Sequence, residues 1–301
     1  MSTGRMFDRY VTVDWSAAAT PRTGADSIWI AALTPGASPG TINPGTRAEA
    51  IDIVADLMAD DRRTGRRTLF GFDFPFGYPV GTVAALRVLP GNWRGVWKLL
   101  RTLIVDRADN WNNRFAVAGE LNRRIGAGEG PFWGCPRAQV TRHLSGTRPD
   151  YANIPLPERR MVDNPQRFRT AGLPGAPQPV WKLFTAGSVG GQALTGIATL
   201  ARLLRERPDL AQGTRIWPLD TGMQAPYAAA SVWVELYPTM FADRPATGQV
   251  KDEAQVVGAA RWLGEADSAG RLPALFRRPS GVSDAQAAAI VREEGWIFGL
   301  P

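Results

Sequence analysis

Leu69-Phe70-Gly71-Phe72-Asp73-Phe74-Pro75-Phe76-Gly77-Tyr78-Pro79 is the stretch whose reading decides the fold. An apolar run of strand character ends there in a carboxylate set between aromatic rings. An ionised carboxylate taken out of water without a partner is costly, so Asp73 must be paired, capped or aimed at a cation. One solution is local: a strand-end Asp satisfies turn amides ahead of Pro75. A second stretch tips the balance. Arg9-Tyr10-Val11-Thr12-Val13-Asp14-Trp15-Ser16 also closes a β-branched run on an Asp followed by an aromatic. If the two strands are parallel neighbours, both carboxylates share one edge of a sheet. Like charges that close raise each other's pKa or call for a metal ion.

Working outward, the chain of 301 residues is long enough to bury a sizeable core as one large domain, or as one domain carrying a long insertion. It has one cysteine and one histidine, Cys135 and His143. An intramolecular disulfide, a cysteine-based metal cluster and a multi-histidine zinc site are therefore excluded. His143 lies in Gln139-Val140-Thr141-Arg142-His143-Leu144, with no nucleophile elbow beside it. Chemistry then falls to Asp, Glu, Lys, Arg or Tyr, and carboxylates holding a hard cation are the simplest general solution. The formal charge of +7 and pI near 10.1 rest almost wholly on arginine. That balance suits polyanions, making nucleic acid a candidate partner; an arginine-rich coding bias gives the same charge. No window has the ~18 uninterrupted apolar residues of a membrane span. The N-terminus lacks a signal-peptide pattern, so a cytoplasmic location is the expectation.

The element order begins with a strand at 9–15, a second at Ser27–Leu33 and a short third near Thr41-Ile42. Thr46-Arg47-Ala48-Glu49 has capping-box spacing and opens a helix with apolar residues at Ala50, Ile51, Val54, Leu57 and Met58. Gly65 stops it, and the Asp73 strand follows at 67–74. The basic run Arg62-Arg63-Thr64-Gly65-Arg66-Arg67 invites a nucleic-acid reading. Arg67 and Asp73 are, however, about 20 Å apart at ~3.3 Å per strand residue, so the run belongs to the far end of the sheet as a solvated turn.

From 77 to 181 the pattern changes. Asn92–Ile104 and Asn112–Ile125 have helical spacing, whereas 126–180 is rich in Gly, Pro and Arg and nearly aperiodic. So long a structureless loop is improbable in a compact domain. The segment is expected to be an inserted, partly helical cap over the carboxylate edge, leaving 1–76 and 182–301 as the core. Its tryptophans suit either the core or a stacking surface. Gly187-Ser188-Val189-Gly190-Gly191 leads into a helix at about 190–206 and suits a phosphate cradle or close packing; no Walker A loop or GxGxxG is present. Further strands are expected at Thr214–Trp217 and Ser231–Pro238, the latter carrying Glu235. Lys251-Asp252-Glu253-Ala254-Gln255 opens a late helix in which Asp252 suits capping or ligation. Ser283-Asp284-Ala285-Gln286 opens a last one.

This order resembles the ribonuclease-H-like fold. The motifs Val13-Asp14, Phe72-Asp73-Phe74-Pro75, Val234-Glu235-Leu236-Tyr237-Pro238, Asp252-Glu253 and Glu294-Gly295-Trp296-Ile297 resemble a family of predicted RNase-H-like nucleases, the domain of unknown function 429. The likeness covers 9–74 and 187–301. It implies an α/β mixed sheet flanked by helices, with Asp14, Asp73 and Asp252 as metal-binding carboxylates for Mg²⁺ or Mn²⁺. Glu253 would be a further ligand and Glu235 a further catalytic carboxylate. The late helix departs from the pattern, with Val256 and Val257 where relatives often carry another Asp.

The leading expectation is a divalent-metal-dependent nuclease or related phosphoryl hydrolase. Arg137, Arg142, Arg148, Arg159 and Arg160 from the cap would face the carboxylates across a groove and hold substrate. A non-catalytic RNase-H-like module that binds nucleic acid or protein is the alternative. A third reading is a nucleotide binder similar to the actin and sugar-kinase group, using Gly187–Gly191 on phosphate. Against it, Trp15-Ser16-Ala17 follows Asp14 where such proteins prefer a Gly-rich turn.

Overall fold

A computed structural model describes residues 4–126, 128–173, 175–241, 245 and 248–301. At its centre is a mixed six-stranded sheet in the order β3-β2-β1-β4-β6-β5. The strands are β1 (Arg9–Asp14), β2 (Trp29–Leu33), β3 (Gly40–Ile42), β4 (Thr68–Phe72), β5 (Thr214–Ile216) and β6 (Ser231–Glu235). Strands β1, β4, β6 and β5 run parallel, while β2 runs antiparallel to both its neighbours. The central runs are apolar on both sides because both faces are covered, as parallel sheets require.

One face carries Val11, Val13, Phe70, Phe72 and Trp233 into a core shared with α1 (Arg47–Thr64) and α4 (Gly190–Glu206). The same core takes in α2 (Trp93–Leu103) and α3 (Arg114–Ile125) of the 77–181 segment, together with Tyr78, Phe132 and Trp181. The insertion is thus joined to the sheet by continuous packing. Most of its tryptophans are core, with Trp97 3% exposed and Trp181 fully buried, each donating its indole N–H to a backbone carbonyl; Trp111 is the exception at 46% exposed. The other face carries Tyr10, Leu69, Val232 and Val234 against α5 (Lys251–Ser268) and the C-terminal segment.

Local sequence signals explain the ends of these elements. The Thr46 hydroxyl accepts from Glu49 N, and Gly65 ends α1 in the left-handed region at φ 69°. The Glu49 carboxylate reaches Gly45 N instead of the cap residue's own amide, so the expected box closes one residue early. The last helix, α6 (Asp284–Ala289), has the full reciprocal box between Ser283 and Gln286. Helix α4 crosses the Phe74 ring where Gly196 leaves room; a Cβ there would lie 2.5 Å from the ring. The aperiodic 126–180 segment is held by two single 3₁₀ turns, a short helix at Pro165–Thr170 and isolated bridges to Ser145 and Lys182.

The basic run at the end of α1 is taken up locally. Arg63 and Arg66 pair with Asp60, Arg62 donates to Asp209 O, and Arg67 donates to Ala229 O and Pro226 O. Among the described residues, no helix is long and apolar enough to cross a membrane.

Candidate active site

The register fixes the site. Val13 pairs with Phe72 across β1 and β4, and Asp73 N donates to Val13 O, so Asp14 and Asp73 stand level at the C-terminal ends of parallel neighbours. Strand neighbours lie about 4.8 Å apart and equivalent positions point to the same face. Asp14 belongs to the alternation Tyr10, Thr12, Asp14, so both carboxyls emerge on the α5 side. Thr12 Oγ1 donates to Val256 O at 2.7 Å and holds the first turns of α5 over this edge. Asp252 in the first turn of that helix is thereby brought to the same cleft.

The two carboxyls lie within hydrogen-bonding reach of one another. Burial, followed by the charge of Asp73, pushes Asp14 well above the ordinary carboxylate range. Burial also raises Asp73, to about 6, although the hydrogen bond from Asp14 and the amide of Trp15 both favour its ionised form. Two buried carboxyls this close resist being ionised together. Trp15 N donates to Asp73 Oδ1 at 2.6 Å, and Gln192 Nε2 lies 3.4 Å from Asp73 Oδ2 while bonding Trp15 O. Strand-end amide satisfaction and pairing with a second carboxyl both operate at Asp73.

Asp252 does not cap α5, which has no side-chain cap; its Oδ2 accepts from Asp26 N at 2.7 Å, tying the helix to the β1–β2 loop. Its charge still raises Asp14 and Asp73. Glu253 turns away and accepts from Thr41 Oγ1 at 2.9 Å. Among the described residues, no group of three or more acidic, His or Cys side chains is gathered closely enough to hold a metal ion. The converging set is the Asp14–Asp73 pair, with Asp252 standing off.

Glu235 goes elsewhere for a reason of register. It pairs with Phe72, one position short of Asp73, and a one-residue offset turns a side chain to the other face. There Glu235 is 2% exposed and makes a two-pronged ion pair with Arg160, at 2.6 and 2.7 Å. Arg160 is equally buried and also grips Asp163. Neither faces the cleft.

The other expected substrate arginines also lie outside the cleft lining. Arg137 is exposed, and Arg142 donates to His143. Arg148 pairs with Glu158, and Arg159 donates to Asp163 O and Pro177 O. The cap reaches the carboxylate edge through Ala176–Gln178 and Arg114, joined there by Leu183–Thr185 and Gly187–Val189 just after it. With Arg22 and Lys251 they wall a cleft of about 780 Å³ over Asp14, Asp73 and Asp252.

Arg47 is a residue the sequence reading missed. It is 1% exposed, forks onto Asp106 at 2.6 and 2.7 Å, and donates to Ser16 O, Ala18 O and Asn110 O. It thereby pins the loop after Asp14, one wall of the cleft, to the insertion. Its position inside a helix-opening motif concealed that role. No family model, curated protein or solved structure matches the chain.

Proposed function

We propose that this chain is a divalent-metal-dependent nuclease or related phosphoryl hydrolase on a ribonuclease-H-like sheet, with Mg²⁺ or Mn²⁺ held by Asp14 and Asp73. The observation carrying the proposal is the level carboxyl pair at the base of a cleft also lined by cations. The donor set fits: hard oxygens suit Mg²⁺, which keeps several of its waters and is commonly bound through only one or two carboxylates. Such an ion, when bound, supplies a nucleophilic water at neutral pH and stabilises charge on phosphoryl oxygen. Trp15 N and Gln192 orient Asp73, and Asp252 lends charge from beyond the pair. Arg22, Arg114 and Lys251 offset the negative charge of an entering phosphate.

The test is calorimetric titration of Mg²⁺ and Mn²⁺ into the wild type and Asp14→Asn. Binding is expected in the wild type and its loss in the variant, with proton release on binding because the carboxyls must be ionised to ligate. No binding in either protein overturns the proposal. Apparent affinity should fall as pH drops through about 6, where Asp73 takes up a proton that the metal must displace. The stand-off of Asp252 favours a second reading, a binding module on the same scaffold. Metal binding with no cleavage of DNA or RNA oligonucleotides would select it.

A further inference from the structure

Arg114 and Phe184 line the same cleft. Arg114 opens α3 and is partly buried; its Nη1 donates to Asn112 Oδ1 at 2.9 Å, and its Nε is buried without a partner. Among the described residues it has no carboxylate within ion-pair distance, because nearby Asp106 is engaged by Arg47. Burial lowers its pKa, though only to about 10, so it stays charged at neutral pH. Such a cation is stabilised by an incoming anion, and its planar fork matches phosphate.

The guanidinium lies 4.3 Å from the centre of the Phe115 ring. Phe115 in turn meets Phe184 edge-on, with ring centres 6.3 Å apart. Phe184 is 42% exposed on the cleft wall, while most large aromatics of the chain are buried. An exposed aromatic ring in the same cleft as a cationic fork is the combination that takes a base and its phosphate together. Gly191 keeps the place clear, since a Cβ there would lie 3.3 Å from Arg114 Cδ and Nε.

We propose that Arg114 and Phe184 form a nucleotide subsite beside the carboxylate pair, with phosphate on Arg114 and an unpaired base on the Phe184 ring, so that the cleft takes single-stranded nucleic acid. This rests on the phosphoryl-hydrolase reading above. A duplex is disfavoured because its base faces are covered by their own neighbours, leaving none for Phe184. Sugar identity is outside these contacts, so DNA and RNA strands are separate arms of the test.

The experiment is fluorescence anisotropy with the full chain in Ca²⁺. The probes are a labelled 12-nucleotide single strand, as DNA and as RNA, and the matching duplexes. The single strand is expected to bind at least about tenfold more tightly than its duplex. Phe184→Ala should weaken single-strand binding about tenfold, in line with the loss of one stacked base, and leave duplex binding unchanged; Phe184→Trp should restore it. Arg114→Gln should weaken binding and reduce the salt slope by about one phosphate's worth. Equal binding by wild type and Phe184→Ala, or preference for duplex, overturns the subsite. Calorimetry on the same proteins separates the two proposals. Metal binding without strand binding removes the subsite alone. Phe184-dependent strand binding without metal binding supports the subsite and removes the hydrolase reading.

Discussion

Asp73→Asn is expected to raise thermal stability in metal-free buffer at pH 7–8 and to abolish the stabilisation that Mn²⁺ gives the wild type. Asp73 holds a proton more tightly folded than unfolded, with its pKa raised from 3.8 to about 6 by burial. Its favourable contribution is fully present below the unfolded value and is lost as pH rises through about 6. The loss amounts to at most about 3 kcal/mol at ~1.36 kcal/mol per unit. An Asn stays neutral throughout. Its Oδ1 can still accept from Trp15 N, and its amide group can donate to Asp14. The two proteins should therefore match at and below about pH 4, separate as pH rises from there to about 6, and keep a constant difference above it, with the variant more stable. Saturating metal reverses the order, because only the wild type gains RT ln(1 + [L]/Kd), about 2.7 kcal/mol at 100 times Kd. Turnover should fall by more than the roughly 10–100-fold that indirect partners of a metal cost. Differential scanning fluorimetry across pH 4–8, with and without Mn²⁺, reads all of this. Parallel pH profiles for the two proteins, with no Mn²⁺ shift in the wild type, would remove both the raised Asp73 pKa and the metal.

The carboxyl pair was readable because the signal is local. Each of two apolar runs stops at an Asp, and parallel pairing of those runs suffices to bring the carboxyls level. Helices α1, α4 and α6 were readable through Thr46, the periodicity after Gly190, and Ser283. Glu235 was not, because its strand looks like the other two in sequence. Only the long-range register, Glu235 opposite Phe72, sends it to the other face. The arginines failed for a related reason. A basic residue in a Gly- and Pro-rich segment reads as solvent-facing, and nothing within a few positions of Arg160 announces that Glu235, 75 residues on, lies against it. Arg114 had the opposite problem: Trp111-Asn112-Asn113-Arg114 reads as a helix opening, and its place in the cleft follows from how α3 packs near Gly191.

Arg160→Ala is expected to cost about 3–5 kcal/mol, the loss that follows when one partner of a buried ion pair is removed. Every guanidinium donor is used. Nε and Nη2 reach Asp163, Nη1 and Nη2 reach Glu235, and Nη1 also reaches Glu294 O, all between 2.6 and 3.1 Å. Truncation strands two carboxylates that are 1–2% exposed. It also loosens a joint where the insertion, β6 and the C-terminal segment meet, since Glu294 beside it accepts from Val80 N and Met161 N. Arg160→Lys keeps the charge but loses the planar fork, so it should fall between Ala and wild type. Adding Glu235→Gln and Asp163→Asn to Arg160→Ala should recover much of the loss, because the uncompensated charge is gone. The deficit of the single variant should also shrink as pH falls, since stranded carboxylates escape their penalty by taking up protons. Thermal and urea midpoints at pH 5 and 8 measure these differences. A substrate-clamping arginine would behave in the opposite way, leaving the midpoints unmoved and weakening nucleic-acid binding. That pattern would return Arg160 to the cleft and break the assignment of Glu235 to the structural joint.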